Sequence, residues 1–484
     1  MVPSLWRVTH SRLSWISEDV IGHTTAVGTV SARLALLAGA IWGDGVTTGV
    51  LVFGVVLILA GTCYLVAFPG TRRSILRLTV VLSFFDVLQF HAAGVSLRVY
   101  QPLTVMVALA NLPAVVSELK GTRLGRALTV YTIFTALTLT WTISRSDTAS
   151  VVVGQIYLLS LFGCFAAELR LRRITISDVV KWIAWGASLS SIAAVLEFMA
   201  SYAGSRIQIF NVLGIPWHRP AGLMSEPDWA ALVAGLGGVA VYYGMRDGFL
   251  RRALLWTNLV TIVLCGVRAV WLSTMILVVI LSFGQPKVRR AARRLIPLLL
   301  VALFLTVGYA TYRPSSLSRL DPSAVLSGTG AGDAGSTHSR LGVVRLIVDN
   351  VGPVIVQGYG AGTLNSTTQA PQIEQMYGGG GALNTGHGST NLFLTTLWDS
   401  GVVGVITLVI VVVRWFRIAL RLSNRLPALL WMSGLMLLDF QVNNGFRFAF
   451  VWIALGCYAS SEQGAVLPRG DVLSLETPMN GSGR

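Results

Sequence analysis

Residues 391–425 read NLFLTTLWDSGVVGVITLVIVVVRWFRIALRLSNR. The apolar run over 391–413 is long enough, as a helix, to cross a ~30 Å hydrocarbon core. It closes on Arg414, Arg417, Arg421 and Arg425, and positive charge next to a span is retained on the cytoplasmic side. The stretch therefore predicts a membrane helix that enters from outside and ends inside. The same pattern recurs along the chain. Of 484 residues, 54% are hydrophobic and 12% charged, and the mean hydropathy is +0.68. The charged share is about half the ~25% of a soluble domain. Runs this long and continuous suit helices, not barrel strands.

Fourteen spans are expected, near 28–43, 46–68, 75–91, 97–117, 127–143, 150–168, 180–203, 228–245, 252–266, 268–284, 295–312, 391–413, 426–441 and 446–460, with the first pair the weakest. Basic clusters fall on every second connection: Arg72/Arg73/Arg77, Lys120/Arg123/Arg126, Arg170/Arg172/Arg173/Lys181, Arg246/Arg251/Arg252, Lys287/Arg289/Arg290/Arg293/Arg294 and Arg414/Arg417/Arg421/Arg425. They hold 22 of the 37 Lys and Arg, so the net charge of +16 reads as topology and not as a nucleic-acid footprint. The expectation is an all-α polytopic protein of about 12–14 transmembrane helices in the cytoplasmic membrane, both termini inside.

The segments follow from that pattern: a cytoplasmic stretch 1–29, a helix bundle 30–312, a long extracytoplasmic loop 313–390, C-terminal spans 391–460 and a polar tail 461–484. Residues 1–29 lack the apolar core and cleavage site of a signal peptide. Cys63, Cys164, Cys265 and Cys457 all fall in apolar runs and read as packing residues. No metal-ligand spacing occurs. Within the long loop, 339–352 has helical apolar spacing and reads as an amphipathic surface helix. GYGAG (358–362) and MYGGGG (376–381) read as loops that let a backbone approach a ligand closely.

Four polar stretches stand at the outer face. In HRPAGLMSEPDWA (218–230), Ser225 to Asp228 matches a capping box and Pro227 suits a helix start; this leaves Arg219 and His218 unexplained. Arg268 occupies a minimal turn between two apolar runs. It either snorkels to headgroups or grips an anion, for which a guanidinium fork suits a diphosphate. His338 and Arg340 lie in STHSRLG. His387 precedes Ser389, Thr390 and Asn391, where a helix cap is the plain alternative to chemistry. Few ionisable residues fall inside spans, chiefly Asp86, Glu197 and Asp439.

RPAGLMSEPDWAAL, GVRAVW, SRLGVVRLIVDNVGPVIVQGYGAG and STNLFLTTLWDSGVVG, in that order and around one long outer loop, resemble the successive signatures of the O-antigen ligase/polymerase superfamily. The likeness runs from about residue 100 to 460. It implies a C-type glycosyltransferase-like helical fold and metal-independent, inverting transfer from a polyprenyl-diphosphate-linked glycan to a glycan or lipid-linked acceptor, with no cofactor. Arg219 and Arg268 match the family's arginines, which receive the leaving diphosphate. The family's histidine position holds Thr390, so the base falls to nearby His387, with His338 or Asp399 as alternatives. Arg340, Glu226, Asn391 and His338 complete the substrate contacts. Abundant arginine and scarce lysine suggest a high-GC source, and in one without lipopolysaccharide polymerisation is favoured over ligation. The alternatives are a transporter or flippase of lipid-linked sugars, a purely structural membrane scaffold, which would leave Arg219, Arg268 and the long loop without a purpose, and a metal enzyme using Glu226 and Asp228.

Overall fold

The computed structural model describes residues 46–92, 95–202, 219–267, 270–271, 273–277, 344, 347, 350–365, 391–423, 426–440, 446 and 448–462. The expected spans at 28–43 and 295–312, and most of the loop 313–390, lie outside them.

The described helices are α1 (Val46–Ala67), α2 (Thr71–Leu82), α3 (Tyr100–Ala110), α4 (Leu112–Gly121), α5 (Arg123–Leu137), α6 (Arg145–Arg170), α7 (Ile176–Tyr202), α8 (Pro227–Gly244), α9 (Phe249–Cys265), α10 (Leu392–Arg421), α11 (Pro427–Asp439) and α12 (Ala449–Glu462). Three of them, α6, α7 and α10, are long and apolar enough to cross a membrane. A fourth crossing follows if the bent pair α3–α4 counts as one span.

Between residues 75 and 117 one expected span is cut short and another is bent. The run 75–91 stops being helical after Leu82, and a two-stranded antiparallel hairpin follows, β1 (Gln89–Ala92) with β2 (Val95–Arg98). The chain is thus not purely α-helical. The run 97–117 is broken at Asn111, where α3 and α4 meet at 87°. Pro113 stands in the first turn of α4, and proline is tolerated there because it has no N–H to donate. Asn111 accepts a hydrogen bond from Arg72 Nη1 (2.5 Å) and donates to Glu168, which also accepts from Arg173 (3.0 Å). Arg72, Asn111 and Glu168 are all buried, so this network supplies the partners that buried charge requires.

The described basic clusters share one end of the bundle. Arg73 pairs with Asp178 at 3.0 Å, Arg170 with Glu118 at 2.6 Å, and Arg414 Nη1 donates to the Arg123 carbonyl at 2.5 Å. The Leu124 amide donates to Glu462 at 3.2 Å. Between the ends, packing is close where residues are small, as is usual where helices associate in apolar surroundings. A Cβ on Gly237 would fall 2.5 Å from Asn258 Oδ1, and one on Gly456 2.9 Å from the Phe162 carbonyl. Asn258, fully buried, ties α9 to Ser188 (2.9 Å) and Ser191 (2.8 Å) of α7. Cys164, Cys265 and Cys457 are buried in the core as expected, whereas Cys63 is exposed on α1.

Helix α10 is not straight. Gly401 adopts φ 62°, ψ −166° inside it, a conformation open to glycine and costly to other residues. A straight helix would hold Phe393 and Val412 ~28 Å apart. Instead both line one apolar cavity with Val413, Phe416, Leu437 and Phe440. The Leu392 amide donates to the Phe440 carbonyl at 2.9 Å, while the Phe440 ring lies 6.3 Å from that of Trp415. The short arm 392–400 therefore folds back along the long arm 402–421. The long arm, ~30 Å by its rise, keeps enough length to span. The expected span at 391–413 is thus two pieces, and Asn391 sits partway down the bundle, not at its end.

This geometry predicts that cysteines at Phe393 and Val412, in a background free of other cysteines, will be joined by a short bismaleimide. Failure to join them under conditions that label both sites would mean α10 is straight.

Candidate functional site

The far end of the bundle, opposite the basic clusters, is built from short helices. On α6, Tyr157 lies ~18–20 Å from either terminus. Its hydroxyl is 3.3 Å from Thr104 Oγ1 and its ring 6.3 Å from that of Tyr100. Tyr100 opens α3, so α3 rises from Asn111 beside Glu168 and ends at the middle of α6. α2 ends at a similar level, since Phe84, just past it, meets Gly186 of α7 and stacks on Phe450 of α12 at 5.4 Å. α11 ends at Phe440 beside the folded arm of α10. Above the ends of α2, α3 and α11 stand the hairpin, the turn 219–226 and the arm 392–400.

At this level Arg98 Nε donates to Asp86 Oδ1 at 2.5 Å. The Asp86 side chain is 6% exposed and that of Arg98 30%. The carboxylate is sunk, and its partner side chain keeps part of its length exposed. The next amide, Val87 N–H, donates to the Leu223 carbonyl at 3.2 Å, joining this pair to the turn that carries Arg219.

That turn is held by charge on both sides. Glu197 on α7 accepts from the amides of Ala221 (3.1 Å) and Gly222 (2.8 Å). Gly222 has φ 61° and lies so close to α7 that a Cβ would fall 2.5 Å from the Ser190 carbonyl. Arg219 donates through Nε to the Cys265 carbonyl and through Nη2 to Asp228, both at 2.7 Å. The carbonyl is one that α9 leaves without a helical partner at its end, where Gly266 turns the chain with φ 63°. Two bonds fix the guanidinium plane. The expected capping box is not formed: Glu226 takes the N-cap position of α8 without a side-chain cap bond, Pro227 follows, and Asp228 binds Arg219.

Asn391 caps α10, its Oδ1 accepting from Phe393 (2.8 Å) and Leu394 (3.3 Å). The plain reading of that residue is therefore realised, whatever else it does. Aromatic rings pack near both segments: Trp229 meets Phe448 at 4.4 Å, Phe446 meets Phe440 at 6.1 Å, and the Phe440 carbonyl accepts from the Leu392 amide. Of the expected site residues, Arg219, Glu226 and Asn391 lie among those described. Arg268, His387, His338 and Arg340 lie outside the described residues.

The glycines of GYGAG serve the chain's own backbone. Tyr359 and Gly360 amides donate to the carbonyls of Trp398 (2.8 Å) and Asp399 (3.0 Å), and Val402 donates to Ile355 (2.7 Å). Gly358, Gly360 and Gly362 all have positive φ; a Cβ on Gly358 would fall 2.6 Å from the Trp398 carbonyl. Asp399 is buried and its Oδ1 accepts from Gly362 N–H at 3.0 Å, so it pins this segment. Of 339–352, residues 344, 347, 350 and 351 are helical, with Ile347 and Val351 buried against Leu364 and Trp398.

Arg98 was hidden because 97–117 reads as one apolar span. The signal available was Asp86, an acid among apolar residues that needs a cation within reach.

Replacing Glu197 by Ala should lower stability by about 2–3 kcal/mol, since it orphans two part-buried amides bonded to a charged group. Glu197→Gln, which keeps one acceptor oxygen, should recover part of it. Thermal unfolding in detergent reads both; an alanine variant as stable as wild type would show that the turn does not need this carboxylate.

Scanned against models of known protein families and against curated proteins, the chain matches none.

Proposed function

We propose that the chain is a membrane glycosyltransferase of the O-antigen ligase/polymerase type, polymerising polyprenyl-diphosphate-linked oligosaccharides in surface-polysaccharide synthesis. The basic end faces the cytoplasm on this reading, both termini lie inside, and the end that carries Arg219 faces outward. The observation that carries it is Arg219, part-exposed and fixed in plane by Asp228 and the Cys265 carbonyl. A guanidinium has five donors, so two bonds to the protein leave capacity for a phosphate. Preorganised donors stabilise a leaving group because they need no reorientation as its charge develops.

In the proposed reaction an acceptor hydroxyl attacks the anomeric carbon, its bond to the diphosphate oxygen breaks, and the lipid diphosphate leaves with the electron pair. Arg219 and Arg268 receive that charge. His387 takes the hydroxyl proton, a role suited to a group with pKa near neutral. Glu226, Asn391, Arg340 and His338 contribute substrate contacts, and no metal or cofactor takes part.

The test is purified protein in vesicles with a polyprenyl-diphosphate oligosaccharide and EDTA. The expected products are free polyprenyl diphosphate and a lengthened glycan. Arg219→Gln and Arg268→Ala should each slow turnover by about 10²–10³-fold, and His387→Ala by about 10²–10⁴-fold. Wild-type turnover in Arg219→Gln would remove the carrying observation. Movement of intact lipid-linked sugar across the bilayer, without cleavage, would replace the transferase with a transporter.

A further inference from the structure

The segment 352–358 bridges the ends of α5 and α10 that lie away from the basic clusters, and it turns two large apolar side chains outward. Ile355 is 45% exposed and Val356 64%. Packing against the strap does not absorb them, because Ile347 and Val351 already fill the place beside Leu364 and Trp398. Hydrogen bonds fix the segment on both sides. The Val402 amide donates to the Ile355 carbonyl at 2.7 Å, and Trp141 Nε1, just past α5, donates to the Gln357 carbonyl at 3.1 Å. The backbone between them is pressed onto the break in α10, where a Cβ on Gly401 would fall 2.3 Å from the Val356 carbonyl.

From this segment an apolar face runs toward the basic end. α5 and α10 pack together, and α10 exposes Val402, Ile406 and Val409 while α5 exposes Val130, Ile133 and Leu137. The long arm of α10 rises ~30 Å from Arg421 to Val402, the thickness of a hydrocarbon core. With the basic clusters at one boundary of that core, Ile355 and Val356 stand at the other. Irregular backbone is tolerated at such a depth where its polar groups have partners. Here the Ile355 and Gln357 carbonyls accept as described, and the Gln357 and Gly358 amides both donate to the Val354 carbonyl, at 3.1 and 2.7 Å. Trp141 beside them is of the residue type favoured at a membrane boundary, with an apolar ring and one N–H to satisfy.

We propose that Ile355 and Val356 form a membrane wedge: their side chains insert among the acyl chains just below the headgroups of the leaflet opposite the basic clusters. The occupant of this surface is lipid, because the two side chains continue a face that the bilayer covers on α5 and α10. The wedge thereby holds the segment 352–365 down on the break in α10, and a stretch expected in an aqueous loop is anchored in the bilayer. This inference is independent of the transferase reading and stands or falls apart from it.

The experiment places a bimane fluorophore on Val356→Cys, and separately on Ile355→Cys, in the full chain otherwise free of cysteine and reconstituted in phosphatidylcholine vesicles. Both side chains are exposed, so the replacements leave the packing intact; unfolding temperature checks this. A label on Ser146→Cys, exposed in the first turn of α6, serves as the aqueous reference. The expected result is a loss of fluorescence from both wedge positions when the lipid carries bromine near its ester linkage. A smaller loss is expected with bromine at the chain end, and none with aqueous iodide, which should quench the Ser146 label. Quenching of the wedge labels by iodide and not by brominated lipid would put the segment in water and overturn the proposal. Shielding from both quenchers would show that protein covers the surface, whether a second copy or another segment of the chain, and would overturn it equally. Quenching by chain-end bromine at least as strong as by ester-end bromine would reject the placement below the headgroups.

Discussion

Backbone polar groups in apolar surroundings must find partners, and the break at Gly401 is where that constraint shapes the far end of the bundle. A helix that stops at Ser400 strands its last carbonyls. Here those of Trp398 and Asp399 are taken by Tyr359 and Gly360, and the Val402 amide is taken up by Ile355. The segment 352–365 thus completes the hydrogen bonding of α10. Fit is tight enough to demand glycine on both sides, at Gly358 and at Gly401, whose Cβ would fall 2.3 Å from the Val356 carbonyl. The arm 392–400 can fold back only because this exchange satisfies the turn. Asn391, and with it the C-terminal end of the long loop, is thereby carried into the bundle.

The remaining charges at that end follow the same logic. Asp86 with Arg98 and Asp228 with Arg219 are matched pairs, and Glu197 answers two amides. None of these acids sits where packing alone would place it. Each arginine is oriented by its carboxylate and remains partly exposed. Such an arrangement is poor at adding stability and good at presenting fixed donors to an anion, which is why the functional reading turns on it.

Much of the helix register was legible in the sequence. Ends expected from apolar runs and basic clusters fall within a few residues of α1, α5 to α9, α11 and α12, because hydropathy reports directly on which backbone can be buried. Direction reversals were not legible. Gly401 sits in an apolar run that reads as continuous, and nothing local marks it apart from Gly404, three residues on; its φ depends on Val356, distant in sequence. The break at Asn111 likewise depends on Arg72 and Glu168. Arg219 was legible because a capping box could not absorb it, yet its partner was assigned to that box. Arg98 was lost inside an expected span, although Asp86 had already been singled out.

The central claim is that the end of the bundle opposite the basic clusters, where Asp228 and the Cys265 carbonyl hold Arg219, faces outward. It is tested most directly with Ser146→Cys, an exposed position in the first turn of α6, in a protein otherwise free of cysteine, exposed to a membrane-impermeant cationic thiosulfonate from one side of sealed, oriented vesicles. Modification from the extracytoplasmic side is the predicted result. Modification solely from the side of the basic clusters, or by a lipid-soluble reagent and not by the impermeant one, would contradict it.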